Sequence, residues 1–557
     1  MATGTGYYSF MKFSIFVVII INYILKKNEN LKQQCKFFCK DLFIMKNNTF
    51  QQSIRRDGYL KSPWQINTRN NGQTTSDFSG VIDCLIVGGG ITGLTAAVLL
   101  QKAGNKIVIA EANTIGFGTT GGTSAHINTF ADTTYKEAEN DFGEEGARLF
   151  AEAIADGMSL IKNNITTYQI ECDFEEKPGY LYAESKDEVK QLEEIYNGAV
   201  KVGVPVDYTD SVPTKVPFQK ALQWPGQAQF HPVKYLQGLQ AEFLKAGGII
   251  LENKLIKGIE TVDHIHLADQ IRAKAVIYAT HMPPDINLFN FECAPYRSYV
   301  IAAKLKSGSY PDALIYDSQE PYHYIRSHTV DGEQLLLVGG LDHKTGHDDP
   351  EKAFAELEKY MRKYYSISSI KYRWSSQYYV PVDGLPYIGQ MPLASKGIYC
   401  ATGYNGNGMM LGSIAGKILS DLVRKRPNKY ENLFSPSRVK ILDSFSEFVK
   451  ENADVAYHFV ADRFKIHHTD SLKRLQPGTG KVVEVDGKKI AAYKDENGII
   501  HALSPVCTHA ACIVTWNPEE KSWDCPCHGA RYAIDGRVLT GPATKALAVI
   551  NAGSEEA

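Results

Sequence analysis

The sequence lacks a charge excess, a long apolar run and any repeat at a solenoid period. Its 557 residues carry 60 Lys and Arg against 62 Asp and Glu, a formal net charge of −2. A groove that tracks phosphates shows as a basic surplus, so nucleic acid is not an expected partner. Apolar residues make up 44% and charged residues 22%, which argues against global disorder, collagen and a multi-span membrane protein. Cysteine is sparse. Six of the ten are scattered, which does not fit a disulfide-stapled secreted scaffold. The other four fall between Cys507 and Cys527, a density that points to a metal site. The length suffices for about three or four folding units.

The apolar run at residues 13–25 has 13 residues, short of the about 20 that a membrane-spanning helix needs. Extending it back to Tyr7 takes in Lys12. Lys26 and Lys27 follow in place of a signal-peptidase site. Three readings stay open for residues 1–44: a membrane anchor through residues 7–25 with the body on the cytoplasmic side, a non-translated extension ahead of Met45, or a short buried or disordered extension. The body is expected to be cytoplasmic in each. Cys35 and Cys39 have no partner pair nearby and are assigned no metal.

Residues 45–80 form a polar lead-in. Strand-like and helix-like segments alternate over 81–430, the pattern of an α/β or α+β domain. A helical connector is expected over 431–455. Short β-rich runs with turns such as Asn497-Gly498 then fill 456–551 as a small all-β domain.

Val81–Val87 is a buried strand, followed by Gly88-Gly89-Gly90-Ile91-Thr92-Gly93, a helix over 91–103, a strand over 106–110 and Glu111. Gly88 permits the tight turn, Gly90 lets the backbone approach a pyrophosphate, and Gly93 allows close helix–strand packing. The helix N-terminus with Ile91 and Thr92 faces the anion. Glu111 can accept from ribose hydroxyls. Strand, glycines, helix, strand and acid in register specify a Rossmann-like dinucleotide site. Residues 116–124, with Thr119 and Thr120, are rich in small and hydroxyl side chains suited to a second phosphate region or a flavin ring.

Downstream lie Asp383-Gly384-Leu385-Pro386 and Gly403-Tyr404-Asn405-Gly406-Asn407-Gly408-Met409, then a helix-like run over 411–422. The order of these segments resembles the FAD-dependent superfamily of D-amino-acid oxidase, glycine oxidase and sarcosine oxidase, over residues 81–423. The resemblance implies FAD, with Gly406, Asn407, Gly408 and Met409 near the isoalloxazine and Ala279-Thr280-His281 returning to the cofactor domain. It also implies a substrate domain inserted at about 141–274 and 296–376.

Cys507-Thr508-His509 and Cys525-Pro526-Cys527-His528 are separated by 15 residues. Each arm pairs one thiolate with one imidazole. A Rieske [2Fe-2S] centre needs two Cys on one iron and two His on the other, and structural zinc is the alternative. The two loops resemble the Rieske proteins of the cytochrome bc type. That resemblance implies Cys507, His509, Cys525 and His528 as ligands and a disulfide between Cys512 and Cys527. Ala511 stands where that family has Gly, so the loop is expected to be slightly displaced. Ala530 stands where high-potential members have a Ser that donates to a cluster sulfur. Tyr532, the other donor, is present. Fewer hydrogen bonds to sulfur place the expected potential below the top of the roughly −150 to +300 mV range.

Arg326, on the strand-like stretch Pro321-Tyr322-His323-Tyr324-Ile325-Arg326, is a candidate to hold a substrate carboxylate. His231 is read as structural and His467-His468 as solvated. No 2-His-1-carboxylate iron site stands out, which argues against a ring-hydroxylating oxygenase. FAD beside a one-electron cluster is a two-to-one electron converter. The expected function is a dehydrogenase of a small amine or amino acid that passes electrons to an external one-electron acceptor. A reductase running in the opposite direction and a non-enzymatic redox sensor are the alternatives.

Overall fold

The computed structural model describes residues 56–66, 80–306, 308–347, 349–438, 475–485 and 487–550. The apolar run at 13–25, Cys35, Cys39, most of the expected connector and His467-His468 lie outside the described residues. No helix among the described residues is long and apolar enough to cross a membrane.

Val81–Val87 is apolar at nearly every position because it is central to a parallel sheet covered on both faces. It pairs in parallel with Ile271–Tyr278 on one side and Ile107–Ala110 on the other. Ile249–Leu251 and Ile398–Thr402 extend the parallel array. Antiparallel Tyr387–Gln390 closes one edge, and a hairpin on Ile271–Tyr278 completes eight strands. The helices Ile91–Lys102 and Gly408–Val423 bury their apolar residues in the same core. The second helix begins at Gly408, ahead of the expected 411, so Gly408 and Met409 belong to its first turn.

A nine-stranded sheet forms the second layer. Its neighbours run Ile367–Pro381, Cys293–Leu305, Glu333–Lys344, His323–Val330, Leu314–Asp317, Glu175–Ala183, Lys220–Gln229 and His126–Ile127, with Asp207–Thr209 on Lys220–Gln229. The period of two divides its faces. Tyr299 and Ile301 pack with Phe354, Leu357 and Met361 of the helix Pro350–Tyr364, whereas Ser298 and Val300 line a cavity between the layers. The strands from Ile249 to Tyr278 belong to the first sheet, so the first inserted segment returns earlier than the expected boundary at 274. Ile249-Ile250-Leu251 is too short to declare itself by periodicity; parallel pairing with Ile107–Ala110 places it.

The C-terminal lobe has a three-stranded sheet (Gly480–Val485, Lys488–Lys494, Ile500–Leu503) and a four-stranded one (Thr515–Asn517, Ser522–Asp524, Arg531–Ala533, Val538–Thr540), all antiparallel. It does not stand apart: the described residues from Arg56 onward form one compact unit.

Six buried charges join the lobes. Glu520 of the small lobe accepts from Arg56 Nη1 at 2.9 Å, from Leu60 N at 3.1 Å, and from Ser375 N and Oγ at 2.9 and 2.6 Å. Arg297 Nη2 lies 3.9 Å from it. Arg531 Nε donates to Asp524 Oδ1 at 3.0 Å, and its Nη1 donates to Asp57 O. Three arginines (56, 297, 531) face three carboxylates (57, 520, 524), and all six residues are at most 3% exposed. The arginines hold the Glu520 carboxyl at about 2, against the upward push of burial. The supposed polar lead-in is therefore, from Arg56 to Gln65, largely a buried strap between the lobes.

Glu520→Ala leaves Arg297 buried without its neighbouring carboxylate and Arg56 with Asp57 as its remaining one, which costs about 3–5 kcal/mol. Chemical denaturation should read this as a loss of stability at neutral pH. Because the folded carboxyl lies below its unfolded value, its stabilisation is present above the unfolded pKa, about 4.3, and fades as pH falls toward the folded value. The variant should lack that acid-dependent component.

Candidate functional site: a dinucleotide cleft facing a cysteine–histidine cluster

The first βαβ unit opens onto a cavity of about 1330 Å³. Gly88 has φ 111°, and a Cβ there would meet Ala279 O at 2.4 Å. A Cβ on Gly93 would fall 2.0 Å from Gly88 O. Both positions require glycine, and Gly93 works beneath the cavity rather than in its wall. Gly88, Gly90, Ile91 and Thr92 line it. The helix that starts at Ile91 has no side-chain cap from Gly90 and no acid in its first turn, so its positive end is open to an anion. Glu111 also lines the cavity; its Oε2 accepts from Gly89 N at 2.7 Å and its Oε1 from Asn113 N at 2.8 Å. Burial pushes its carboxyl up.

Thr119, Thr120, Gly406, Asn407, Gly408 and Met409 reach the same cavity. Thr120 Oγ1 accepts from Ile91 N at 3.2 Å, tying the second glycine-rich segment to the first helix. Asn407 Oδ1 accepts from Asp132 N at 2.8 Å. The strap supports this wall: Gln65 Nε2 donates to Gly116 O and Phe117 O, both at 2.8 Å, and Trp64 Nε1 donates to Thr123 O. A glycine-lined cradle, a helix N-terminus whose N-cap Gly90 offers no side chain and whose first N–H meets Thr120, and a carboxylate at the second strand fit FAD.

Arg326 is not in the cavity wall. It shares a strand face with Tyr324, which is, but lies one repeat, about 7 Å, further along. There its Nη1 donates to Ser124 O and Ala125 O at 2.8 Å, and Trp64 covers the guanidinium. It is a buried brace under the cofactor segment, and the carboxylate-clamp expectation is withdrawn. His231 caps the helix Pro232–Lys245, its Nδ1 accepting from Lys234 N at 3.2 Å, which is the structural role expected.

In the small lobe the two loops meet. Cys512 and Cys527 form a disulfide, and Cys525 Sγ lies within 4.8 Å of both of its sulfurs. Cys507 and Cys525 are free thiols, close enough to share a hydrogen bond that draws Cys507 down and pushes Cys525 up. The rings of His509 and His528 stand 5.0 Å apart. His509 Nδ1 and both nitrogens of His528 are buried without a hydrogen-bond partner among the described residues. Burial drives His528 down to about 3, so its ring is neutral, as a ligand must be. Two thiols and two orphaned imidazoles in one apolar pocket fit a [2Fe-2S] cluster bound by Cys₂His₂. The disulfide removes Cys512 and Cys527 from any thiolate set. Tyr532 OH lies 3.1 Å from Cys507 Sγ. Ala511 itself adopts φ 59°, the left-handed region that glycine occupies without steric cost.

The large lobe covers this loop, with no signal in the sequence to announce it. His509 Nε2 reaches Asp285 O at 3.2 Å, Tyr379 OH donates to His528 O at 3.1 Å, and Gln377 Nε2 donates to Gly529 O at 3.0 Å. The Tyr379 ring lies 4.7 Å from that of His281, which lines the cavity and meets Thr119 Oγ1 at 3.0 Å. In return, residues 537–546 of the small lobe form part of the cavity wall.

The family model described as FAD dependent oxidoreductase matches residues 83–422, and that of the Rieske [2Fe-2S] domain matches 463–551. The chain belongs to the FAD-dependent oxidoreductase family and carries a Rieske domain. Its cofactors are FAD and a Rieske [2Fe-2S] cluster. YhfW of Bacillus subtilis (strain 168), whose description is a Rieske 2Fe-2S iron-sulfur protein, is 35% identical over 84% of this chain and 93% of its own. Gamma-glutamylputrescine oxidoreductase of Escherichia coli (strain K12) is 24% identical over 63% of this chain and 85% of its own. The crystal structure of glycine oxidase from Geobacillus kaustophilus superposes with a TM-score of 0.54 at 18% identity, covering 65% of this chain and all of that one. The large lobe of this oxidoreductase thus has the glycine oxidase fold.

Two measurements probe these sites. Gly90→Val fills the approach to the pyrophosphate, since a Cβ there already meets Thr120 Oγ1 at 3.1 Å; the purified variant should retain little FAD by absorbance while keeping its iron. Tyr532→Phe removes a hydrogen bond to Cys507 and should lower the cluster potential by about 20–60 mV, the one-electron equivalent of a hydrogen bond worth about 0.5–1.5 kcal/mol. A redox titration followed by electron paramagnetic resonance reads that shift.

Proposed function

We propose that the enzyme dehydrogenates a small amine or amino acid and delivers the electrons through its Rieske domain to an external one-electron acceptor. In this reading Gly88, Gly90, Ile91, Thr92, Glu111, Thr119, Thr120 and residues 406–409 hold FAD, with Gly93 packing beneath. Cys507, His509, Cys525 and His528 hold the cluster. When bound, FAD supplies the acceptor for a hydride lost from carbon beside a substrate nitrogen, the nitrogen proton going to solvent and the product being an imine. The cluster supplies a one-electron store.

The observation that carries the reading is the contact between the sites. Tyr379 bonds the backbone of one proposed cluster ligand and packs on His281, a cavity residue. The contact is closed to water: His528 is 6% exposed and Tyr379 0%. The amine part of the reading is supported by the name of the Escherichia coli relative.

Anaerobic titration of the purified protein with amines and amino acids tests this. Flavin bleaching should be followed by the reduced-cluster resonance in the same sample. Bleaching without cluster reduction overturns the electron route. Filling of the flavin from a pre-reduced cluster, with no compound bleaching it, overturns the direction.

A further inference from the structure

The half of the cavity built by the nine-stranded sheet has an unusual charge pattern. The carboxylates of Asp132, Asp317, Glu320 and Asp342 line it, and no Lys or Arg on the described part of that sheet does. The cavity's basic side chains sit elsewhere. Lys254 and Lys257 follow the first-sheet strand at Leu251, where Lys254 N donates to Glu111 O, and Arg537 and Lys545 come from the small lobe.

Asp342 is the focus of this half. Its Oδ2 accepts from Tyr378 OH at 2.8 Å and Tyr322 OH at 3.1 Å. Its Oδ1 is buried and within hydrogen-bond distance of no donor among the described residues; the nearby Ser298 hydroxyl, which also acts on this carboxyl, meets Tyr324 OH at 3.1 Å. Aromatic rings continue from it in contact: Tyr322 to Tyr324 at 6.0 Å, Tyr324 to His126 at 5.5 Å, His126 to Tyr316 at 5.2 Å, and Tyr316 to Phe130 at 5.3 Å. His126 is held neutral by burial and by Arg326. An unsatisfied carboxylate oxygen beside a run of tilted and edge-to-face aromatic rings suits an ammonium group, which gains both the ion pair and the ring quadrupoles. A substrate carboxylate fares badly there. Asp342 and Asp132 repel it, and the Tyr322 and Tyr378 hydroxyl protons are already given to Asp342.

We propose that the substrate is an organic amine without a carboxylate on its reacting carbon, its cationic nitrogen held by Asp342 Oδ1 within the Tyr322–Tyr324–Tyr316–Phe130 aromatic wall. The inference rests on the oxidation reading above and narrows it from amine or amino acid to amine. Burial raises the Asp342 carboxyl to about 6, against the hydroxyls of Ser298, Tyr378 and Tyr322 and with Asp132 adding to the rise. The cation site is therefore charged at neutral pH and discharged below it.

A matched pair separates the classes: n-butylamine and norvaline, which differ by the carboxylate on the reacting carbon. With the anaerobic holoenzyme, n-butylamine should bleach the flavin at concentrations lower than norvaline by on the order of tenfold or more. Norvaline bleaching as well as or better than n-butylamine overturns the inference and leaves the oxidation reading standing. Binding is measured separately with tert-butylammonium, which has no hydrogen on the carbon beside nitrogen and cannot be oxidised. Calorimetry should show binding to the wild-type holoenzyme that fades as pH falls below about 6. Asp342→Asn should weaken it by on the order of tenfold, with FAD content and the cluster resonance unchanged. Binding that is absent, or unaltered in Asp342→Asn, overturns the site. If tert-butylammonium binds through Asp342 and yet neither n-butylamine nor norvaline bleaches the flavin, the cation site stands and the oxidation reading falls.

Discussion

Everything in this molecule hangs on a neutral set of six buried charges. Arg56, Arg297 and Arg531 are buried, and they are compensated by Asp57, Glu520 and Asp524, by the Ser375 and Ser522 hydroxyls, and by the backbone carbonyls of Asp57, Leu60 and Ser375. The members come from the strap, the nine-stranded sheet and the small lobe, so no lobe satisfies its own charges alone. A hydrophobic interface of similar area would tolerate sliding. A low-dielectric ion network does not, because displacement of any one member leaves another uncompensated. The interface is thereby fixed in register, and the contacts of Gln377 and Tyr379 with the backbone of Gly529 and His528 follow from that register.

The same strap reaches the cofactor cleft from behind. Ser62, Trp64 and Gln65 bond the backbone of residues 116–123, and Arg326 bonds the next two carbonyls. A glycine-rich segment has little side-chain packing of its own and a large conformational entropy to lose. Four side chains from two distant parts of the chain restrict it instead. Thr119 and Thr120 are then presented to the cavity from a fixed backbone.

Local chemistry was legible in the sequence; assembly was not. The glycine spacing from Gly88 to Gly93 and the arms Cys507-Thr508-His509 and Cys525-Pro526-Cys527-His528 declare themselves because each works within a few residues. The two layers follow from alternating strands and helices. Arg326 misled because a strand gives only the face, not how far along it a covering segment lies. The role of residues 56–65 was hidden because its partners are hundreds of positions away: Arg56 and Glu520 are separated by 464. A polar segment between apolar domains looks like a linker unless the opposing charges are known to converge on it.

Docking also reaches the chemistry of the cluster site. His509 has one nitrogen buried without a hydrogen-bond partner among the described residues and its other nitrogen at Asp285 O, a carbonyl of the large lobe. A backbone acceptor fixes the imidazole tautomer, leaving Nδ1 as the nitrogen with a free lone pair, and raises its basicity for the ligand role proposed above. Tyr532 does the opposite on the sulfur side, drawing electron density from Cys507 through its hydroxyl. One of these influences is internal to the small lobe and the other is imposed from outside it. An isolated small lobe would keep the Tyr532 contact and lose that of Asp285. The electronic properties of the cluster site are therefore a property of the docked pair, not of the Rieske domain alone.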